Sequence, residues 1–245
     1  MRLLNLEQFK NYLYSLKVTR ITKIIQLHHT WSPNYSHFNG QNHLTLQKNM
    51  KTHHVKNNGW NDIGQHFTIF PDGLICTGRD LNSNPAGIYG ANTGAICIEC
   101  LGNFDKDGDT MTEAQKQAIV GVVKILLDRF NLKAEDAVTY HAWWTASGSE
   151  LGDYVKGKSA KTCPGTNFFG GNTLTAYEKN LMPLIKSYGK VTLETGNDIV
   201  WELMNGKYKI EITEVERAIK AIDAAKNNAE FSSLYWILYK LVNKG

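Results

Sequence analysis

The sequence predicts an α/β fold, a central mixed β-sheet flanked by helices. Three observations carry this. Strand-patterned and helix-patterned segments alternate through most of the chain, the arrangement that layers helices on a sheet. One pair of strands is joined by a tight turn, which puts an antiparallel neighbour into the sheet. Of the 245 residues, 42% are hydrophobic and 20% charged, an ordinary globular balance with room for a full core and a small second unit.

Taken in order, residues 4 to 16 read as a short helix before the first strand. "ITKIIQLHHT" is a buried, isoleucine-rich strand ending in His28 and His29. "LTLQKNMKTHHVKN" has helical pattern and stops at "NNGW". "IGQHFTIFPDGLICTGRD" is a hairpin, two apolar runs around Pro71-Asp72-Gly73, residues that favour turns. "GAICIECLGNF" is a further strand. Thr112 and Gln115 have the spacing of a capping box. Ile119, Val122, Val123, Leu126, Leu127 and Phe130 follow at helical intervals, an apolar stripe made to face a sheet. "AVTYHAWW" is a short strand ending in His141. A polar, glycine-rich stretch leads to Cys163, and "TLTAYEKNLMPLIKS" is a helix beyond it.

After "KSYGK" the texture changes. Residues 190 to 245 contain no histidine or cysteine and are expected to form a small, mostly helical C-terminal domain after a first domain of residues 1 to 187. It would hold a hairpin, a helix capped by Thr213 and Glu216, and a last helix with Leu234, Ile237, Leu238 and Leu241 as its stripe. Trp201, Trp236 and the nearby tyrosines suit either sugar stacking or a small core. The terminal helix is also a candidate homodimer contact.

Composition excludes some classes. The net charge of +4 contains no basic block, so a dedicated nucleic-acid binder is not expected. No apolar run approaches the roughly 20 residues of a membrane span. The opening "MRLLNLEQFKNYLYSLKVTR" mixes charge into every turn and lacks the apolar region of a secretory signal. The expected setting is therefore a cytoplasm, until something else releases the protein. Cys97 and Cys100 form a C-x-x-C, but in a strand they point to opposite faces and cannot share a ligand. They read as buried thiols.

His28 or His29, His141 and Cys163 lie at strand ends and in a loop that can converge on one rim of a sheet. Two imidazoles and a thiolate are donors zinc favours, and a three-ligand set leaves a fourth position for water. The blocks "IIQLHHTW", "HHVKNNGWNDIGQHFTIFPDG", "AICIECLGNFD", "YHAWW" and "KTCPG" occur in an order that resembles the zinc-dependent N-acetylmuramoyl-L-alanine amidases. These are the type 2 amidases, whose fold is shared with phage lysozyme-type amidases and animal peptidoglycan recognition proteins. The resemblance spans about residues 20 to 185.

The resemblance implies zinc ligands at His28, His141 and Cys163, with His29 structural, and a catalytic pair of Glu99 and Lys161. The family often has tyrosine in "GWNDIGYHF"; here Gln65 stands there, a side chain that can hydrogen-bond but not exchange a proton. Gln65, Arg79 and Asn92 are the expected substrate contacts, Arg79 being equally suited to a structural ion pair, with His53, His54 and Asn103 as weaker candidates and Trp60 and His66 as core. The 21 residues between His141 and Cys163 are more than the family's short loop, so "TASGSELGDYVKGKSAK" is an expected insertion at the mouth of the cleft. The implied reaction is hydrolysis of the amide between N-acetylmuramic acid and L-alanine in bacterial peptidoglycan. The implied role is a bacteriolytic phage or prophage endolysin. A bacterial autolysin, a spore-lysis amidase and a non-catalytic peptidoglycan-binding protein are the alternatives. Binding-only animal relatives typically lack the cysteine ligand, and Cys163 is present here.

Overall fold

The computed structural model describes residues 1–188. Its strands are β1 (Leu3–Leu4), β2 (Ile24–His29), β3 (Phe67–Ile69), β4 (Ile75–Thr77), β5 (Ala95–Cys100) and β6 (Val138–Tyr140). They form one sheet in the order β1-β4-β3-β5-β2-β6. The four strands β3, β5, β2 and β6 run parallel, and β4 and β1 continue the sheet antiparallel. The sheet is mixed, and the hairpin at Pro71-Asp72-Gly73 supplies the antiparallel pair β3–β4, with β1 outside it at the edge.

Period-two alternation gives the sheet two unlike faces. Ile25 pairs with Ile96, Leu27 with Ile98, and Ile98 in turn with Phe67. Residues in register on neighbouring strands share a face, and this one is wholly apolar. It packs into the main core with the stripe of α3 (Glu113–Phe130), the ring of Phe9 and the last helical segment. The intervening residues share the other face. Gln26 pairs with Cys97, and His28 with Glu99, which also pairs with Thr68. This second face is covered by α2 (His43–Lys56), whose buried Gln47 accepts from Thr68 Oγ1 at 2.7 Å and donates to the Thr77 carbonyl at 3.3 Å. Cys100 belongs to the apolar core while Cys97 lies on the polar face, so the C-x-x-C is split across the sheet.

Some elements depart from expectation. The expected capping box of α3 is one-sided. Thr112 Oγ1 accepts from Gln115 N at 3.1 Å, but the Gln115 amide turns inward and donates to the carbonyls of Ile69 and Leu101, each at 2.9 Å. Those carbonyls lie at or just past the ends of β3 and β5, and Ile69 O also accepts the Leu101 backbone N–H at 2.9 Å. The "AVTYHAWW" strand is shortened by a helical turn, Ala134–Ala137, before β6 and a 3₁₀ turn, His141–Trp143, after it. The last helical segment runs from Leu174 to Ser187 through a π turn at Tyr177–Leu181. Pro183 there has no N–H to complete a regular ladder. The expected C-terminal hairpin, helices, sugar-stacking aromatics and dimer contact lie outside the described residues.

Candidate metal centre and cleft

Parallel strands deliver their carboxyl ends to one rim, where open α/β sheets place their sites. His28 and His29 end β2, Glu99 stands near the end of β5, and His141 directly follows β6. Alternation separates the two adjacent histidines. His28 faces the polar side beside Glu99. His29 is turned away, and its Nδ1 accepts the Phe104 backbone N–H at 3.1 Å.

That bond holds the loop that in turn holds Cys163. Asp105 Oδ1 accepts from Thr166 N, its Oδ2 accepts from Thr162 Oγ1, and Phe104 O accepts from Asn167 N at 2.8 Å. Gly165 sits at φ +122°, and a Cβ there would lie 2.4 Å from the Phe104 carbonyl, so only glycine lets the two loops meet this closely. From the other side, Ala142 N donates to Cys163 O at 2.7 Å. Cys163 is thus tied to both the His29 and the His141 segments.

One ligand atom from each of His28, His141 and Cys163 lies within 4.8 Å of the other two. His28 Nδ1 is 3.5 Å from Cys163 Sγ, and the two imidazoles meet edge to face with centroids 5.1 Å apart. Burial, then the neighbouring charges of His141 and Lys161, hold His28 well below the ordinary histidine value; burial brings His141 down to about 4. Both are therefore neutral at pH 7, the form that ligates metals. Burial, reinforced by Glu99, pushes the Cys163 thiol far up. A sulfur that resists ionising alone becomes a thiolate when a cation sits against it. Two nitrogens, one sulfur and this mutual distance fit zinc with a position left for water.

These three line a cleft of about 560 Å³ together with Glu99, Lys161, Gln65, His53, His54, Trp60 and Asp105. Glu99 keeps some exposure to the cleft, but its Oε2 is out of solvent and has no partner. Burial raises its pKa to about 8, against the opposing pull of Lys161. Gln65 is buried, and its amide N–H is committed to Thr68 Oγ1 at 3.0 Å. Its Oε1 is left without a partner.

Arg79 and Asn92 are not brought to the cleft. The Arg79 guanidinium donates to the carbonyls of Ile63, Asn84 and Asp62 at 2.7, 2.8 and 3.1 Å. Asn92 Oδ1 accepts from Gly87 N and Ile88 N, shaping their loop. Asn103 caps a turn through Asp105 N. His66 is buried, as expected. Trp60 is half-exposed and stacks on His54 with centroids 4.8 Å apart. Of the 145–161 stretch, Lys161 reaches the cleft. The remainder forms an ordered excursion pinned by bridges at Trp144–Glu150 and Thr145–Ser159, with Gly148 packed against Gly90. Sequence reasoning missed Asp105, Thr162 and the exposed Trp31 as lining residues. The quoted "GNFD" and "KTCPG" blocks contain the first two.

Residues 18–166 match the family model described as N-acetylmuramoyl-L-alanine amidase. Peptidoglycan-recognition protein SC2 of Drosophila simulans is 31% identical over 126 residues, 51% of this chain and 60% of that protein. The chain thus spans about 60% of that relative's length. The endolysin of Escherichia phage T7 is 30% identical over 103 residues, 36% of this chain and 68% of the phage protein. Among solved structures, Drosophila peptidoglycan recognition protein SA is similar in fold, with a TM-score of 0.52 at 18% identity, covering 68% of this chain and 83% of that one. With the family match extending over more than half of its residues, the chain belongs to the N-acetylmuramoyl-L-alanine amidase family.

Proposed function

We propose that this protein is a zinc-dependent hydrolase of the amide between the lactyl group of N-acetylmuramic acid and the first L-alanine of the peptidoglycan stem. One observation carries the reading: His28, His141 and Cys163 converge within 4.8 Å in the cleft that also holds Glu99. When bound, the ion lowers the pKa of a water and polarises the scissile carbonyl. Glu99, ionised once a bound cation offsets the burial that raises its pKa, takes the proton of the attacking water and returns it to the departing amine. Water adds to the carbonyl carbon, the C–N bond breaks, and a carboxylate and a free alanine amine leave. Lys161, exposed on the rim, stabilises negative charge developing on the carbonyl oxygen. Gln65 Oε1 offers only an acceptor to the cleft, so it orients an O–H or N–H and moves no proton. Cys163 is a ligand here, so no acyl-enzyme forms.

Kinship with the T7 endolysin supports a phage or prophage lysin acting on the wall after release from the cytoplasm. Kinship with peptidoglycan-recognition proteins supports a second reading, recognition without cleavage. Digestion of purified walls followed by mass analysis separates the two. New L-alanine amino ends without new reducing sugars are expected; retention on walls with no new ends overturns the enzyme reading. Residues 190–245 complete the proposal as a wall-binding unit after the amidase domain of residues 1–187. The tail expressed alone should sediment with cell walls, and a tail that stays in the supernatant rejects that role.

A further inference from the structure

Behind His28, on the side away from Cys163, two buried polar atoms have no partner: His28 Nε2 and Gln26 Oε1. Gln26 and His28 are two residues apart on β2 and so project from the same face. Both are buried, at 0% and 3% exposure. The amide of Gln26 is oriented by its other end, since Nε2 donates to the Ala91 carbonyl at 2.8 Å. Its Oε1 is left as an acceptor without a donor, and it is not bonded to His28 Nε2 in this structure. Gly87 closes the space around both atoms. A Cβ built there would lie 2.2 Å from Gln26 Oε1, 3.2 Å from His28 Nε2 and 3.0 Å from Cys97 Sγ.

A neutral imidazole has one N–H and one lone pair. His28 Nδ1 faces Cys163 at 3.5 Å, so a ligating His28 must offer its lone pair there and carry its proton on Nε2. Buried N–H groups find acceptors, and the unpaired acceptor that borders the same space at Gly87 is Gln26 Oε1. We propose that Gln26 is a positioning residue for the metal centre: with an ion bound, its Oε1 closes on the Nε2–H of His28 and holds the tautomer and ring angle in which Nδ1 points at the ion. Gly87 is part of the device, because any side chain there displaces the glutamine oxygen. Partners of this kind on ligating histidines typically account for a 10–100-fold difference in metal affinity.

The inference rests on the zinc reading above, and the test separates the two. Zinc affinity of the full chain is measured by chelator competition for wild type, Gln26→Met, which keeps the shape without the acceptor, and Gln26→Glu, which restores an acceptor oxygen. Roughly 10–100-fold weaker binding in the Met variant, with the Glu variant recovering most of it, is expected. Equal affinity for wild type and Met, or Glu as weak as Met, overturns the role of Gln26 while leaving the metal centre intact. Wild type that binds no zinc overturns the underlying reading instead. A measurement on wild type guards against a Met variant that does not fold. ¹⁵N NMR of the zinc-loaded protein should show His28 ligated through Nδ1 with a protonated, slowly exchanging Nε2, and ligation through Nε2 refutes the proposal.

Discussion

Replacing His66 with glutamine should remove one distinct share of the protein's sensitivity to mild acid. The ring is fully buried, and its two nitrogens are assigned by their neighbours. Nδ1 accepts the Cys97 backbone N–H and Nε2 donates to the Ser83 carbonyl, both at 3.0 Å. Nδ1 therefore has no room for a second proton unless the bond to β5 breaks. Burial lowers the pKa to about 4, with the Ser83 carbonyl pulling the other way. The unfolded chain titrates near the ordinary value of about 6.5, so unfolding takes up a proton in the window between. Stability is fully present above that ordinary value, falls as pH drops toward 4, and levels off below it. A displacement of this size corresponds to roughly 3 kcal/mol. Urea unfolding of metal-free wild type and His66→Gln from pH 7.5 to 4 measures it. The wild-type curve should lose about 3 kcal/mol more than the variant's. Two parallel curves would show that His66 protonates without breaking its contacts, and the assignment of its nitrogens would be wrong.

Two further substitutions separate chemistry from scaffold. Glu99→Gln should retain zinc yet lose at least about 100-fold in kcat; turnover near wild type sends the proton transfer to another group. Arg79→Ala should lower stability by about 2–4 kcal/mol, because three carbonyls lose a charged donor, while KM for wall fragments stays put. A raised KM with an unchanged melting temperature would make Arg79 a substrate contact after all.

The convergence of His28, His141 and Cys163 was legible because these residues mark strand ends and a Pro-Gly turn, features that local sequence encodes. The separation of His28 from His29 was legible too, since Ile25-Gln26-Leu27-His28 alternates apolar and polar, and that period puts His28 on the polar face. The same alternation places Gln26 behind His28, a consequence that a reading of the strand as uniformly buried concealed. Gln115 misled because its spacing from Thr112 satisfies a local capping rule, whereas its amide goes to two strand-end carbonyls remote in sequence. Arg79 misled for a similar reason. Its carbonyl partners belong to a loop 16 and 17 residues upstream and to a residue 5 downstream, and carbonyls carry no side-chain signature. Trp60 faces the cleft because His54, one α2 turn from the rim, offers it a stacking surface.

Metal dependence tests the central claim most directly. Purified protein should contain one zinc per chain, lose it on substitution of His28, His141 or Cys163, and lose wall lysis on chelation with recovery when zinc is returned. Undiminished lysis by protein verified to be free of metal would contradict the account at its root.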